Sequence, residues 1–219
     1  YVFNTSGGQV IRRLTDLTDG ITHLAFSPDG SKLAVTLAGK GGVRVYNTLK
    51  WHLELEASGF PAAWVDFSLD GRMIVVSRNS SIRLYRPDLR QFQRRFLPAK
   101  GSPHSAVFSP DGENISVGYK NSPRVDVLGG HSLELVYTPD ISGVDNGNLA
   151  NVTWSEDGRF LFAGGEYYNK KLRIYSVRRW SQAGRGKHLD IPVGQNTITS
   201  LVSRKGGEVI YSTSGPIFG

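Results

Sequence analysis

The 219-residue chain has no cysteine, which excludes a thiol nucleophile and a disulfide framework and leaves the redox compartment unreadable. Long apolar runs are also missing. None approaches the roughly 20 residues that a membrane-spanning helix needs, and these residues read as carrying no secretory signal, which says little about the parent protein's address. Acids are outnumbered by bases, 19 against 26, for a formal charge of +7. Such a balance favours acidic partners, whether protein, nucleic acid or lipid head group. No Gly-x-Ser-x-Gly elbow occurs, and Gly39-Lys40-Gly41-Gly42 lacks the strand-to-helix setting of a phosphate loop. His23, His52, His104, His131 and His188 show no metal-ligand spacing and read as surface or packing residues. With 39% hydrophobic residues the chain can bury a sizeable core.

What is present is repetition. Phe26-Ser27-Pro28-Asp29-Gly30 returns as Phe67-Ser68-Leu69-Asp70-Gly71, Phe108-Ser109-Pro110-Asp111-Gly112 and Trp154-Ser155-Glu156-Asp157-Gly158, with a worn copy at Val202 to Gly206. The steps between the leading residues are 41, 41, 46 and 48. Within each unit short alternating runs are parted by turn residues, which predicts four strands, a to d, per unit. In the second unit these are Ala63 to Phe67, Met73 to Ser77, Ile82 to Tyr85 and Phe92 to Leu97. The Asp of each turn is expected to bond the backbone ahead and the Gly to take a positive φ. The c strands align as Val43 to Tyr46, Ile82 to Tyr85, Val125 to Leu128 and Leu172 to Tyr175. A period near this length with four short strands per unit is the pattern of an all-β propeller.

The Phe-Ser-Pro-Asp-Gly phrase after strand a, with an aromatic closing strand c, resembles WD-repeat propellers of the bacterial kind over nearly the whole chain. The phrase is also found in lactonase-like and TolB-like propellers. The family's Trp-Asp pair is replaced by Tyr46-Asn47, Tyr85-Arg86, Leu128-Gly129 and Tyr175-Ser176, and its Gly-His pair is missing. The residues that build the family's buried hydrogen-bond relay are therefore absent. The run from Trp154 to Thr197, with Arg179-Trp180 and Ala183-Gly184-Arg185-Gly186, is similar to propellers attached to caspase-like peptidase domains. That similarity implies a sensor or regulator whose peptidase chemistry lies outside these residues.

The units divide residues 1–219 into a half blade at 1–14, blades at about 20–57, 61–98, 103–139 and 149–193, and a half blade at 197–219. Two outcomes stand open. The halves pair into a closed five-blade ring, or the chain, which opens inside a strand without an initiator Met, is an excised segment of a larger ring, seven blades being commonest in the family it resembles. Pro216 to Gly219 would then begin another c strand.

In a propeller the b-to-c and d-to-a loops share one face. There the chain offers Lys40, Arg78, Lys120, Lys170 and Lys171, with Phe60, Tyr119, Tyr167 and Tyr168 as contact area. The long loop from Asp140 to Asn148 lacks the spacing of a calcium loop and reads as flexible, its carboxylates offered to Lys170 and Lys171. On the opposite face Arg178-Arg179-Trp180 and Arg185 to His188 read as an expanded c-to-d hairpin, a weak nucleic-acid signal. Asp66 is the one acid on a channel-lining strand and is expected to hydrogen-bond a neighbouring blade. A metal site at the channel mouth would have only Asn79, Asn121 and Asn169 to draw on. The expectation is a non-catalytic interaction scaffold with a protein partner of acidic surface, no cofactor and no metal. The alternatives are a lactonase-type hydrolase and, more weakly, a nucleic-acid binder.

Overall fold

The computed structural model describes residues 1–97, 101–204 and 206–215. A hairpin of β1 (Val2–Phe3) and β2 (Val10–Arg12) opens the chain. Three antiparallel four-stranded sheets follow in sequence order. The first holds β3 (Ile21–Phe26), β4 (Lys32–Leu37), β5 (Gly42–Asn47) and β6 (Leu53–Ala57); the second β7 (Ala62–Phe67), β8 (Met73–Ser77), β9 (Ser81–Tyr85) and β10 (Gln91–Phe96); the third β11 (Pro103–Phe108), β12 (Asn114–Tyr119), β13 (Val125–Gly129) and β14 (Leu135–Tyr137). The fourth sheet has β15 (Asn151–Trp154), β16 (Leu161–Gly164), β17 (Tyr168–Asn169), β18 (Ile174–Trp180) and β19 (His188–Gly194). A hairpin of β20 (Ile198–Arg204) and β21 (Glu208–Thr213) ends the described chain. The described residues contain no α-helix, only a 3₁₀ turn at Gln182–Gly184.

Each repeated phrase closes an a-to-b turn by the same chemistry. The Ser27, Ser68, Ser109 and Ser155 hydroxyls donate to Asp29, Asp70, Asp111 and Asp157 at 2.5–2.6 Å. Those carboxylates accept the backbone N–H two residues ahead, from Ser31, Arg72, Glu113 and Arg159. Gly30, Gly71, Gly112 and Gly158 sit at φ 69–83°, where only glycine is unstrained.

The core lies between sheets. Val43 and Val45 of the first pack on Val65, Phe67 and Val75 of the second. Ile82 and Leu84 pack on Ala106, Phe108 and Val117 of the third. Val125 and Val127 pack on Val152, Trp154 and Trp180 of the fourth, and Phe162 and Val177 on Ile198 and Leu201 of the final hairpin. The c-strand alternation serves two interfaces, since Ile82 and Leu84 face forward while Tyr85 faces back. On the first sheet the places equivalent to Val65 and Phe67 are covered by no neighbouring sheet among the described residues: Leu24 is 51% and Phe26 59% exposed, against 0% and 8%.

The terminal hairpins are separate two-stranded sheets and, among the described residues, do not pair into a fifth blade. Pro216 to Gly219 lie outside the described residues. The third strand of the fourth sheet differs from expectation. It begins at Ile174 and runs to Trp180, because Asn169 Oδ1 accepts the Lys171 and Leu172 amides and moves the hairpin tip to Lys170–Arg173. Arg178 and Trp180, expected in an exposed hairpin, are instead 1% and 0% exposed.

Candidate functional site: the loop rim and inner wall

Backbone hydrogen bonds weld the b-to-c and d-to-a loops into one rim. Gly59 N–H donates to Lys40 O at 2.8 Å, Arg78 N–H to Pro61 O at 2.9 Å, and Lys120 N–H to Ser102 O at 2.7 Å. Gly41 and Phe60 form an isolated bridge. The rim cations are thus carried on loops whose backbone is already committed. Lys40, Arg78, Lys120, Lys170 and Lys171 are all exposed. Lys170 is neutralised by Asp145 at 2.7 Å, from the long loop as expected. The other four make no ion pair among the described residues.

The aromatic half of the expected surface is corrected. Phe60 is 4% exposed, under the Arg83 guanidinium at 3.6 Å. Tyr119 is 1% exposed and its hydroxyl donates to Asp126 at 2.6 Å. Tyr167 is 2% exposed and donates to Asp190 at 2.8 Å. Burial and the nearby carboxylates raise both phenol pKa values, that of Tyr167 to about 12. These three rings support the rim from beneath and present no free surface. Tyr168 alone stays half-buried, edge-on to Tyr175 at 5.4 Å.

These buried acids and phenols replace the relay whose residues the sequence lacks. In the fourth sheet the Arg178 guanidinium donates to both oxygens of Asp190, and its Nη1 donates to Ser142 O at 2.7 Å. Burial pushes the Asp190 carboxyl up, but the Arg178 and Tyr167 hydrogen bonds outweigh it and hold the group below its ordinary value. Trp180 Nε1–H donates to Asp140 O at 2.7 Å. Arg178 and Trp180 are therefore spent on structure, which takes the base-stacking aromatic away from the nucleic-acid reading.

Below the rim, the inner strands β3, β7 and β11 bring together a row of rings that the sequence reading did not assemble. His23 stacks on Trp64 at 3.6 Å and 20°, and Trp64 lies 6.4 Å from His104. A β-bulge at the same point of each a-to-b pair, at Ile21/His23, Ala62/Trp64 and Pro103/Ser105, re-aims these side chains. The available signal was positional: His23 and Trp64 each stand three residues before the a-strand Phe, and His104 one place further. Burial lowers the His23 imidazole to about 4. It lowers His104 too, with the Lys120 and Arg78 charges adding to the effect. His23 Nδ1 and Trp64 Nε1 are buried without partners. Both imidazoles are neutral at pH 7.

At the other end of the inner strands a cavity of about 400 Å³ is lined by Asp66, Leu69, Pro110, Glu156 and Arg204, among others. Asp66 Oδ2 accepts the Phe108 N–H of the next sheet at 2.9 Å, as expected for a neighbour-sheet bond. Burial raises this carboxyl to about 6 against the pull of that amide. Asn169, a candidate amide ligand, is engaged by Asp190 and by its own turn, and Asn79 accepts from Ser81. No group of three His, Asp or Glu side chains converges among the described residues, and no helix there is long and apolar enough to cross a membrane.

Residues 8–47 match the model of the WD domain, G-beta repeat family. The match takes in β2 to β5, a d strand followed by an a-b-c set. No curated protein matches the chain in sequence. Among solved structures, 98% of the chain superposes on a chain of the mitotic checkpoint complex crystal structure with a TM-score of 0.79 and 19% identity. A chain of Kuenenia stuttgartiensis hydrazine synthase matches over 92% with a TM-score of 0.73 and 21% identity. This chain spans 64% and 58% of those chains, less than two thirds of either. The all-β fold is that of WD40 β-propeller structures.

Proposed function

We propose that the protein is a non-catalytic propeller scaffold that holds a protein partner of acidic surface on its loop rim. The observation that carries this reading is the set Lys40, Arg78, Lys120 and Lys171: four exposed cations without ion-pair partners among the described residues, the first three on loops tied by backbone hydrogen bonds and the fourth in a turn closed by the Asn169 side chain. A rigid rim spares the partner the entropy of ordering each loop, and unpaired cations give long-range attraction that salt screens. Tyr168 adds contact area, and Lys170 contributes once Asp145 is displaced. Proteins retained from cell extract by the wild-type chain are to be compared with those retained by R78E/K120E/K171E. Loss of the same partners from the variant and from wild type at high salt supports the rim; unchanged retention overturns it.

Two finer readings belong to the same proposal. The uncovered Leu24 and Phe26 support further blades that complete a larger ring around residues 1–219. The similarity of Trp154 to Thr197 to bacterial propellers beside caspase-like peptidase domains supports a sensor role toward an attached signalling or peptidase module.

A further inference from the structure

One place on the third strand of each sheet carries a buried charge: Arg44, Arg83, Asp126 and Arg178, none more than 6% exposed. In three sheets it is answered. Glu56 stands opposite Arg44 in register and accepts its Nη2–H at 2.7 Å. Asp190 stands opposite Arg178, also at 2.7 Å. Asp126 takes Arg124 at 2.7 Å together with the Tyr119 and Thr138 hydroxyls. In the second sheet the residue opposite Arg83 is Arg94, so a second guanidinium stands where a carboxylate stands in the first and fourth.

Neither arginine has an ion pair among the described residues. Arg83 donates Nη1–H to Ser81 Oγ at 3.1 Å and stacks over Phe60. Burial, and then the Arg94 charge, lowers its pKa. Arg94 is exposed and lies 4.5 Å over the ring of Phe96, itself 63% exposed. Facing like charges destabilise a strand pair, and a buried charge without a counterion costs several-fold more than a surface one. The sheet carries this cost at its border, because β10 is the last strand of its order and pairs only β9. Of the corresponding fourth strands, β6 carries Glu54 and Glu56, which repel an acidic segment, β19 is interrupted by Pro192, and β14 has only three residues, whereas β10 carries cations.

We propose that Arg83, Arg94 and Phe96 bind an extended, carboxylate-bearing segment of a protein partner, laid along β10 as an added strand. Its acid stands beside the exposed Arg94, one strand out from the place that Glu56 and Asp190 fill in the first and fourth sheets, and supplies the negative charge that the Arg83–Arg94 pair lacks, while Phe96 supplies the apolar contact. This surface is separate from the loop rim and does not depend on it. The test is anisotropy of a fluorescein-labelled peptide of alternating Glu and Val, with an alternating Lys and Val peptide as control. R94E installs the missing intramolecular carboxylate and is expected to keep or raise the Tm while weakening the Glu peptide at least about tenfold. R94Q gives the same loss should R94E fail to fold. F96A weakens binding severalfold, and R78E/K120E/K171E leaves it unchanged. Wild-type affinity in both Arg94 variants, no saturable binding to wild type by about 1 mM peptide, equal binding of the Lys peptide, or loss only in the rim variant each overturns the proposal.

Discussion

Two inner-strand residues give the molecule opposite responses to pH. The His23 ring is neutral and stacked, with its pKa lowered to about 4 by burial against an ordinary 6.5. The folded state binds that proton more weakly than the unfolded state does. The contribution is therefore full above about 6.5 and is lost as pH falls through 4. Asp66 has the reverse sign. Its folded pKa is raised from 3.8 to about 6, so its contribution is full below the ordinary carboxylate range and fades as pH rises through 6. D66N keeps an acceptor for the Phe108 amide and removes the buried charge. It is expected to raise Tm at pH 7.5 by roughly 3–6 °C and to leave it unchanged near pH 4. Thermal scans of D66N and wild type at both pH values check this, and an equal shift at the two rules the assignment out. The turn aspartates act lower still. Hydrogen bonds from Ser27 and Ser155 first, then from the backbone ahead, hold Asp29 and Asp157 near 2. Their share of stability is lost as pH falls from 4 toward 2.

At the scale of the element, β18 separates two readings of one basic stretch. As a strand it buries Trp180 completely with Nε1–H on Asp140 O and leaves Arg179 half-buried. W180A is expected to cost about 3–5 kcal/mol in a denaturant titration, and R179A no more than about 0.5 kcal/mol. Near-equal small effects would return Trp180 to an exposed hairpin. What the sequence made legible was local: the Ser-x-Asp-Gly turns, the a and b strands, and the alternation of Ile82-Arg83-Leu84-Tyr85 follow from short-range rules and appear in place. What it hid depends on distant partners. Tyr119 ends β12 and Tyr167 lies three residues beyond β16, and both read as rim residues. Their fate is set by Asp126, 7 residues on, and by Asp190, 23 residues on. The inner-wall row needed three units overlaid with their bulges, and a bulge leaves little trace in a linear pattern.

For the whole molecule, stability is a chain of neighbour contacts in which each sheet is fastened to the next by side chains as well as by apolar packing. Thr22 Oγ1–H donates to Ala62 O at 3.0 Å, Ser105 Oγ–H to Ala150 O at 2.6 Å, Trp154 Nε1–H to Val107 O at 3.1 Å and Asn151 Nδ2–H to Ile198 O at 3.0 Å. Arg72 carries the densest tie. From the second sheet its Nη1 and Nη2 donate to Gly130 O and Gly112 O of the third at 2.5 and 3.0 Å, while Nε holds Asp70 at 2.8 Å. Sheets with neighbours on both sides should open last. Every residue of β8 and β9 is buried and every residue of β2 is exposed, so hydrogen exchange is expected to be slowest in β8, β9, β12 and β13 and fastest in β1 and β2. R72K keeps the charge but loses the planar fork that reaches two carbonyls at once. It is expected to speed exchange in β11 to β14 more than in β3 to β6, because the link it cuts lies between the second and third sheets. A uniform rise across all sheets would mean that the sheets open as one unit and that no single seam governs them.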